Sequence, residues 1–384
     1  MDSLNHCVDL VYELFATLKG LPASIEILPG GLEEWERFEL PSDAPTPCAT
    51  FPFVFVEGNL GIPKTILHAL YMAAMSTPWR SSNSTLDKLT AEKSNAATLV
   101  ILLVNPAHQT ALNHRKRLIQ EGHIEAEKEL ALFELLSRGS PEVGKASMIW
   151  HHRRWCFCRV YDVFTATTSE PACRSRNKSP SSTEQYWPWP KSEPGMESLP
   201  KIPPSTVRRE LKLIQHTCET YPRNYHAWAH WHFIMNVCFT SFLVSLSRSH
   251  NDFPDDKRDS EFLATIIEEY ARLRHWVELH VSDYSAMHQL RQCEKLVDHL
   301  VGAGHIAEES LIKQLPLSGL VDHSLSLLAS YPEHESIWMY LRMSLESSSS
   351  ETRSAVLEDI TSRFSSTYPV YTHHLISWFN RAHN

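Results

Sequence analysis

The sequence predicts an all-α chain made of repeated helical hairpins, preceded by a small irregular cap. Two observations predict this. Apolar residues keep a helical period almost throughout from about residue 62, and a short aromatic-plus-arginine motif returns five times. The 384 residues suffice for two ordinary domains or one extended array. With 42% hydrophobic and 21% charged residues, a packed core is feasible and global disorder is not expected.

The elements follow in chain order. Leu4, Cys7, Val8, Val11, Phe15 and Leu18 share one face, which predicts a helix over residues 1–19. Ser24–Leu28 and Phe51–Glu57 are short β-prone runs separated by glycine and proline. Residues 1–61 therefore read as an N-terminal helix plus a cap with two short strands. Residues 62–164 read as the first two repeats. Their cleanest apolar run, Ala96–Val104, has the length of a buried helix segment and is too short to span a membrane. Residues 165–206 hold 8 of the 23 prolines, a composition that buries too little apolar surface to offset its ordering entropy. That stretch reads as a disordered insertion, with Trp187 and Trp189 as exposed contact points and Ser179-Pro180 as a candidate phosphorylation site. Residues 207–384 read as repeats three to five and C-terminal helices.

Charge and cysteine usage narrow the function classes. A net charge of −9 disfavours nucleic acid as a partner, because nucleic-acid binders show a basic surplus. Asp2, Asp9 and Glu13 in the first turns, with no cationic start, speak against a secretory signal. The eight cysteines are scattered without a CxxC pair and read as reduced thiols, so a cytoplasmic protein is expected. No phosphate-binding loop, GxSxG, HExxH or GxGxxG motif occurs.

The five copies of the motif are residues 105–115, 145–155, 221–231, 281–291 and 331–342. Their large apolar anchors are Leu112, Trp150, Trp228, Met287 and Trp338, spaced 38, 78, 59 and 51 residues apart. Removing the proline-rich stretch from the second interval leaves a period of roughly 36–50 residues, the range of stacked helix pairs. In each copy a turn ends one helix and starts the next, with Asn224, Asp283 and Glu335 or Ser336 as candidate N-caps. Arg115, Arg153 or Arg154, Arg291 and Arg342 follow the anchor by three or four positions, hence on its face. The expectation is that each arginine stacks on its aromatic anchor and ties down carbonyls of the preceding turn. Asn113, Trp155, Asn224 and His230 complete the signature. His226, His230 and His232, or His151-His152 with Cys156 and Cys158, have metal-ligand spacing. The repeat already accounts for His226 and His230, however, so no metal site is expected.

Pro222–His230 (PRNYHAWAH), Trp150–Trp155 (WHHRRW) and Ile337–Arg342 (IWMYLR) resemble the α-subunit repeat of protein farnesyl- and geranylgeranyltransferases. Leu103–Lys116, His280–Asp283 and Phe55–Gly61 are similar to one branch of that family, the α-subunit repeat-containing proteins. The resemblance implies a right-handed superhelical array of hairpins wrapping a separate β subunit. It places zinc, the isoprenoid diphosphate and the reacting thiol of a cysteine-containing protein on that β subunit, and no cofactor in this chain. It further implies geranylgeranyl transfer to proteins of membrane traffic. The family's lysine before the Asn-Tyr-x-x-Trp run is matched by Arg223, implying a diphosphate contact, and Tyr225 matches its lipid-site tyrosine. There are departures: Leu112 and Met287 replace the usual tryptophan, and Trp231 replaces the usual arginine after His230. The alternative to an enzyme subunit is a non-catalytic helical scaffold that binds a protein on its concave face.

Overall fold

The computed structural model describes residues 2–36, 52–77, 79, 87–161, 163, 202–249, 256–304 and 319–382. Among them are sixteen α-helices and one three-stranded sheet, so the chain is an all-α repeat array with a small β cap. The polypeptide forms two compact units, residues 1–233 and 234–384. The division falls inside a helix and not at the proline-rich segment, most of which lies outside the described residues together with Trp187, Trp189 and Ser179.

The first unit opens with α1 (Asp2–Lys19), β1 (Ser24–Leu28), α2 (Leu32–Glu36), β2 (Val54–Val56) and β3 (Asn59–Pro63). The sheet order is β1-β3-β2, with β1 parallel and β2 antiparallel to β3. Sequence reading placed two strands here; β3 is a third. It was hidden because Gly58 and Gly61 read as punctuation. Glu57 and Gly58 both have positive φ, 51° and 82°, which is what a tight two-residue hairpin between twisted strands requires.

Next come α3 (Leu67–Ser76), α4 (Lys88–Val104), α5 (Gln109–Gln120), α6 (Ala126–Gly139), the single turn α7 (Pro141–Gly144), α8 (Ser147–Val160), α9 (Pro204–Thr220) and α10 (Tyr225–Ser249). Asp87 caps α4 by accepting from the Thr90 backbone N–H at 3.0 Å. Every residue from Ala96 to Leu103 is buried. A helix that is apolar all round belongs at the centre of a core, and α1, α3 and α5 pack around this one. Helix α9 begins at Pro204, with Ile202 already buried, so the last residues of the stretch 165–206 belong to the described helical fold.

The second unit takes the rest of α10, then α11 (Asp256–Leu279), α12 (Tyr284–Gly302), α13 (Leu320–Ser330), α14 (Glu335–Leu345), α15 (Ser350–Phe364) and α16 (Pro369–Ala382). The five motif copies open α5, α8, α10, α12 and α14; α15 and α16 form a further pair. No helix among the described residues is long and apolar enough to cross a membrane.

Candidate functional site

Each anchor is the fourth residue of its helix: Leu112 in α5, Trp150 in α8, Trp228 in α10, Met287 in α12 and Trp338 in α14. All five are buried. In three copies a side-chain cap sets this position, and the second copy keeps it with Ala146 at the cap and no such bond. The side chain four residues before the anchor accepts the N–H one residue before it: His108 from Ala111, Asn224 from Ala227 and Asp283 from Ala286, at 3.1–3.2 Å. In the fifth copy His334 occupies the cap without such a bond, so neither Glu335 nor Ser336 is the cap. The Ser336 hydroxyl instead donates to the Val281 carbonyl in the neighbouring turn.

The carbonyls of the preceding turn are held by the tryptophans themselves, which corrects the role expected for the arginines. The Trp150 indole donates to the Gly144 carbonyl at 2.9 Å and Trp338 to the Pro332 carbonyl at 2.8 Å. The arginine three residues after the anchor reaches across repeats. Arg115 of α5 donates to both oxygens of Glu129 on α6, at 2.8 and 2.6 Å, and to the Asn95 carbonyl on α4 at 3.0 Å. Arg153 of α8 repeats this with Glu210 on α9, at 2.8 and 2.5 Å, and the Leu130 carbonyl on α6 at 2.8 Å. His152 and His230, two residues after their anchors, place Nε2 2.8 Å from Glu129 and Glu210 respectively. A carboxylate only accepts, so Nε2 carries the proton in both. Burial alone would raise the Glu129 and Glu210 carboxyls, but the guanidinium charge and the arginine and histidine hydrogen bonds bring each down to about 2. Burial holds His230 down at about 4 and also lowers His152, so each latch is an arginine–glutamate pair with a neutral histidine.

The latch stops at the third copy, where Trp231, fully buried, stands in the arginine position. In the second unit that position is Leu290 and then Leu341, both buried, and Tyr340 takes the histidine place with its hydroxyl 2.9 Å from His323 Nδ1.

The latches of the first unit set the surface above them. Arg154 follows Arg153 but points elsewhere: its guanidinium lies 5.8 Å from the centre of the Phe233 ring, and its Nε is buried without a partner. Lys116, at the equivalent position of α5, lies 5.5 Å from the centre of the Trp155 ring. His151 is pushed below the usual histidine value by partial burial and then by the charges of Arg154, Lys116 and His226. His226 is lowered by burial and by Arg154. Lys116 is lowered mainly by burial. No carboxylate is among the groups acting on Lys116, His151, Arg154 or His226 among the described residues. Tyr225 borders them, 66% exposed, its ring 5.4 Å from that of His226.

The adjoining turn is clamped. Asn224 Nδ2 donates to the Gly144 carbonyl at 2.7 Å, the acceptor that also serves Trp150. Tyr221 packs on Gly144 and donates its hydroxyl to the Arg138 carbonyl at 2.8 Å. Arg223, exposed and at φ 60°, adjoins one end of the Asn224–Gly144 bond; Lys145, also exposed, adjoins the other.

The expected signature residues thus divide. Arg115, Trp150, Arg153, Asn224, Trp228, His230 and Trp338 are structural and buried. Asn113 is exposed and takes no part in the packing. Arg291 is buried but bonds Glu294 within its own helix at 2.5 Å. Arg342 stacks over Trp378 with 5.0 Å to the ring centre. Tyr225 borders the face that carries Arg154, Arg223 is an exposed residue of the turn before Tyr225, and Trp155 is half-buried beneath Lys116. Sequence reasoning missed Lys116 and Lys145, and gave His151 and His226 only as residues with metal-ligand spacing. Repeat register would have found Lys145, which like Arg223 lies five residues before its anchor. Glu129 and Glu210 were also missed, because they precede their anchors by unequal intervals, 21 and 18 residues.

Among the described residues, no three histidine, cysteine or acidic side chains converge as a metal site requires. Two cations, Lys116 and Arg154, with the neutral imidazoles His151 and His226 and an exposed aromatic beside them, suit an anion that carries an apolar group.

Comparison with known proteins agrees with this architecture. The family model "Protein prenyltransferase alpha subunit repeat" matches residues 207–238, within the stretch from α9 to α10. The chain is 26% identical to protein prenyltransferase alpha subunit repeat-containing protein 1-B of Xenopus laevis, covering 85% of this chain and 75% of that protein. It is 24% identical to repeat-containing protein 1 of Homo sapiens, covering 76% of this chain and 68% of the human protein. The Danio rerio protein of that name is 25% identical over 76% of this chain and 63% of its own length.

Proposed function

We propose that this prenyltransferase α-subunit-like repeat protein is the zinc-free α subunit of a heterodimeric protein prenyltransferase. Its partner is a catalytic β subunit, and the transferred group is a geranylgeranyl chain destined for a C-terminal cysteine of a membrane-traffic protein. The observation that supports it is the basic face of the first unit: Lys116 and Arg154, with the neutral imidazoles His151 and His226 among them and Tyr225 exposed beside them.

Zinc on the β subunit supplies the thiolate nucleophile by lowering the pKa of the protein thiol. This chain's residues act on the other end of the reaction. As the carbon–oxygen bond breaks, negative charge grows on the departing diphosphate, and Arg154 and Lys116, joined by Arg223 and Lys145 from the adjoining turns, would offset it. Arg154 is desolvated against Phe233, so its charge is less screened than that of a solvated side chain. Tyr225 offers an apolar ring with a polar tip at the border between lipid and diphosphate. The latches beneath keep α8 and α10 in register and so hold Arg154 and His226 in place.

The test is steady-state transfer by the reconstituted heterodimer. Arg154→Gln should lower the transfer rate by roughly 10²-fold with subunit binding unchanged. Geranylgeranyl diphosphate should be used in preference to farnesyl diphosphate. An Arg154→Gln heterodimer with undiminished rate would remove the catalytic part of the proposal and leave a scaffold.

A further inference from the structure

The second unit holds a different unpartnered guanidinium. Arg342 lies in α14 four residues after the Trp338 anchor, and it lines a cavity of about 170 Å³ with Glu335, Met339, Tyr371 and His374. Its Nε is buried and makes no hydrogen bond, and no carboxylate or carbonyl among the described residues accepts from its fork. Among the described residues its guanidinium lies over the Trp378 ring, 5.0 Å from the centre, a contact that leaves its N–H groups unused. The floor is rigid: the Trp338 ring is wedged between Phe364 at 5.6 Å and Tyr371 at 5.7 Å, and its indole N–H is taken by the Pro332 carbonyl. The arginines of the first two repeats meet glutamates of the next helix, but α16 brings no acid to Arg342. It brings His374 and Tyr371 instead.

We propose that this cavity binds a carboxylate of a protein ligand, with Arg342 as its fork. The size suits one side chain or one chain terminus and is below that of ordinary small-molecule sites. A planar fork held against an indole matches the two oxygens of a carboxylate. A phosphate dianion is disfavoured, since Glu335 shares the lining and only one arginine faces it. The site lies in the second unit, and its existence does not depend on prenyl transfer.

The experiment uses the full chain carrying 5-fluorotryptophan, with the Trp378 ¹⁹F line assigned through Trp378→Phe. The probes are N-acetylglutamate N-methylamide for a side-chain carboxylate and N-acetylphenylalanine for a terminal one. N-acetylglutamine N-methylamide is the neutral control. A saturable shift of the Trp378 line with a carboxylate probe and none with the control supports the site, and the tighter probe identifies the source. Arg342→Gln should weaken that binding roughly tenfold or more. Met339→Trp, which keeps Arg342 but fills the cavity, should abolish it. No saturable shift with either carboxylate, an equal shift with the neutral control, or tighter saturation by inorganic phosphate would each overturn the assignment.

Discussion

Arg153 is buried and bonded to Glu210 and the Leu130 carbonyl, whereas Arg154, the next residue, keeps a buried Nε with no acceptor. The two differ because a helix turns about 100° per residue, so successive side chains meet different neighbours. Removing one partner of a buried pair leaves the other charge uncompensated. Glu210→Ala should therefore destabilise the first unit by about 3–5 kcal/mol, read from its urea midpoint. The pH dependence has a definite sign. His230 sits at about 4 in the folded chain against 6.5 for a free histidine, so the unfolded chain takes up the proton first. Stability is complete above about pH 6.5 and falls as pH drops toward 4, by at most ~1.4 kcal/mol per pH unit from this group. Glu210, held at about 2 against 4.5, adds a second loss only below about pH 4.5. His230→Gln keeps a donor for Glu210 but cannot titrate, so it should flatten the stability profile between pH 6.5 and 4.5. An unchanged profile would mean that His230 does not remain neutral in the fold.

At the scale of the helix and its turn, the α7–α8 and α9–α10 connections are fastened to each other through Gly144. A Cβ there would lie 2.7 Å from the Ser137 carbonyl oxygen and 2.7 Å from the Tyr221 ring. Gly144→Ala should cost about 1–3 kcal/mol by overpacking and displace the turn that carries Lys145. Arg223 bears the opposite relation to its backbone. Its φ of 60° is strained for a residue with a side chain. Arg223→Gly should leave the melting temperature unchanged or raise stability by up to ~1 kcal/mol, while transfer by the heterodimer falls. Unchanged transfer would make Arg223 a plain turn residue. These elements also show how far the sequence could be read. The anchors and the Asn224 and Asp283 caps were legible, because helix starts and buried aromatics leave local marks. The arginine partners were not, because Glu129 and Glu210 lie on helices whose spacing from the motif varies with loop length. Arg115 and Arg342 differ by one place in repeat register, three and four residues after their anchors, and that one place separates a latch from an open fork.

In the molecule as a whole, charge is unevenly divided between burial and display. The chain carries a net −9, yet the first unit gathers Lys116, His151, Arg154 and His226 on one face without an acid acting on them. Lys116 and Arg154 keep the two imidazoles between them neutral, and an anion brought against the face would relieve the repulsion between the two charges. The fold class was legible from periodicity and repeat spacing; the division of the chain was not, since it falls within the continuous helix α10, with no turn or proline to mark it. The most direct measurement of the central claim is the mass of the purified chain, by analytical ultracentrifugation, with a geranylgeranyltransferase β subunit. The account predicts a stable one-to-one complex that transfers geranylgeranyl to a C-terminal cysteine. A chain that stays monomeric beside every β subunit of its own cell would contradict it.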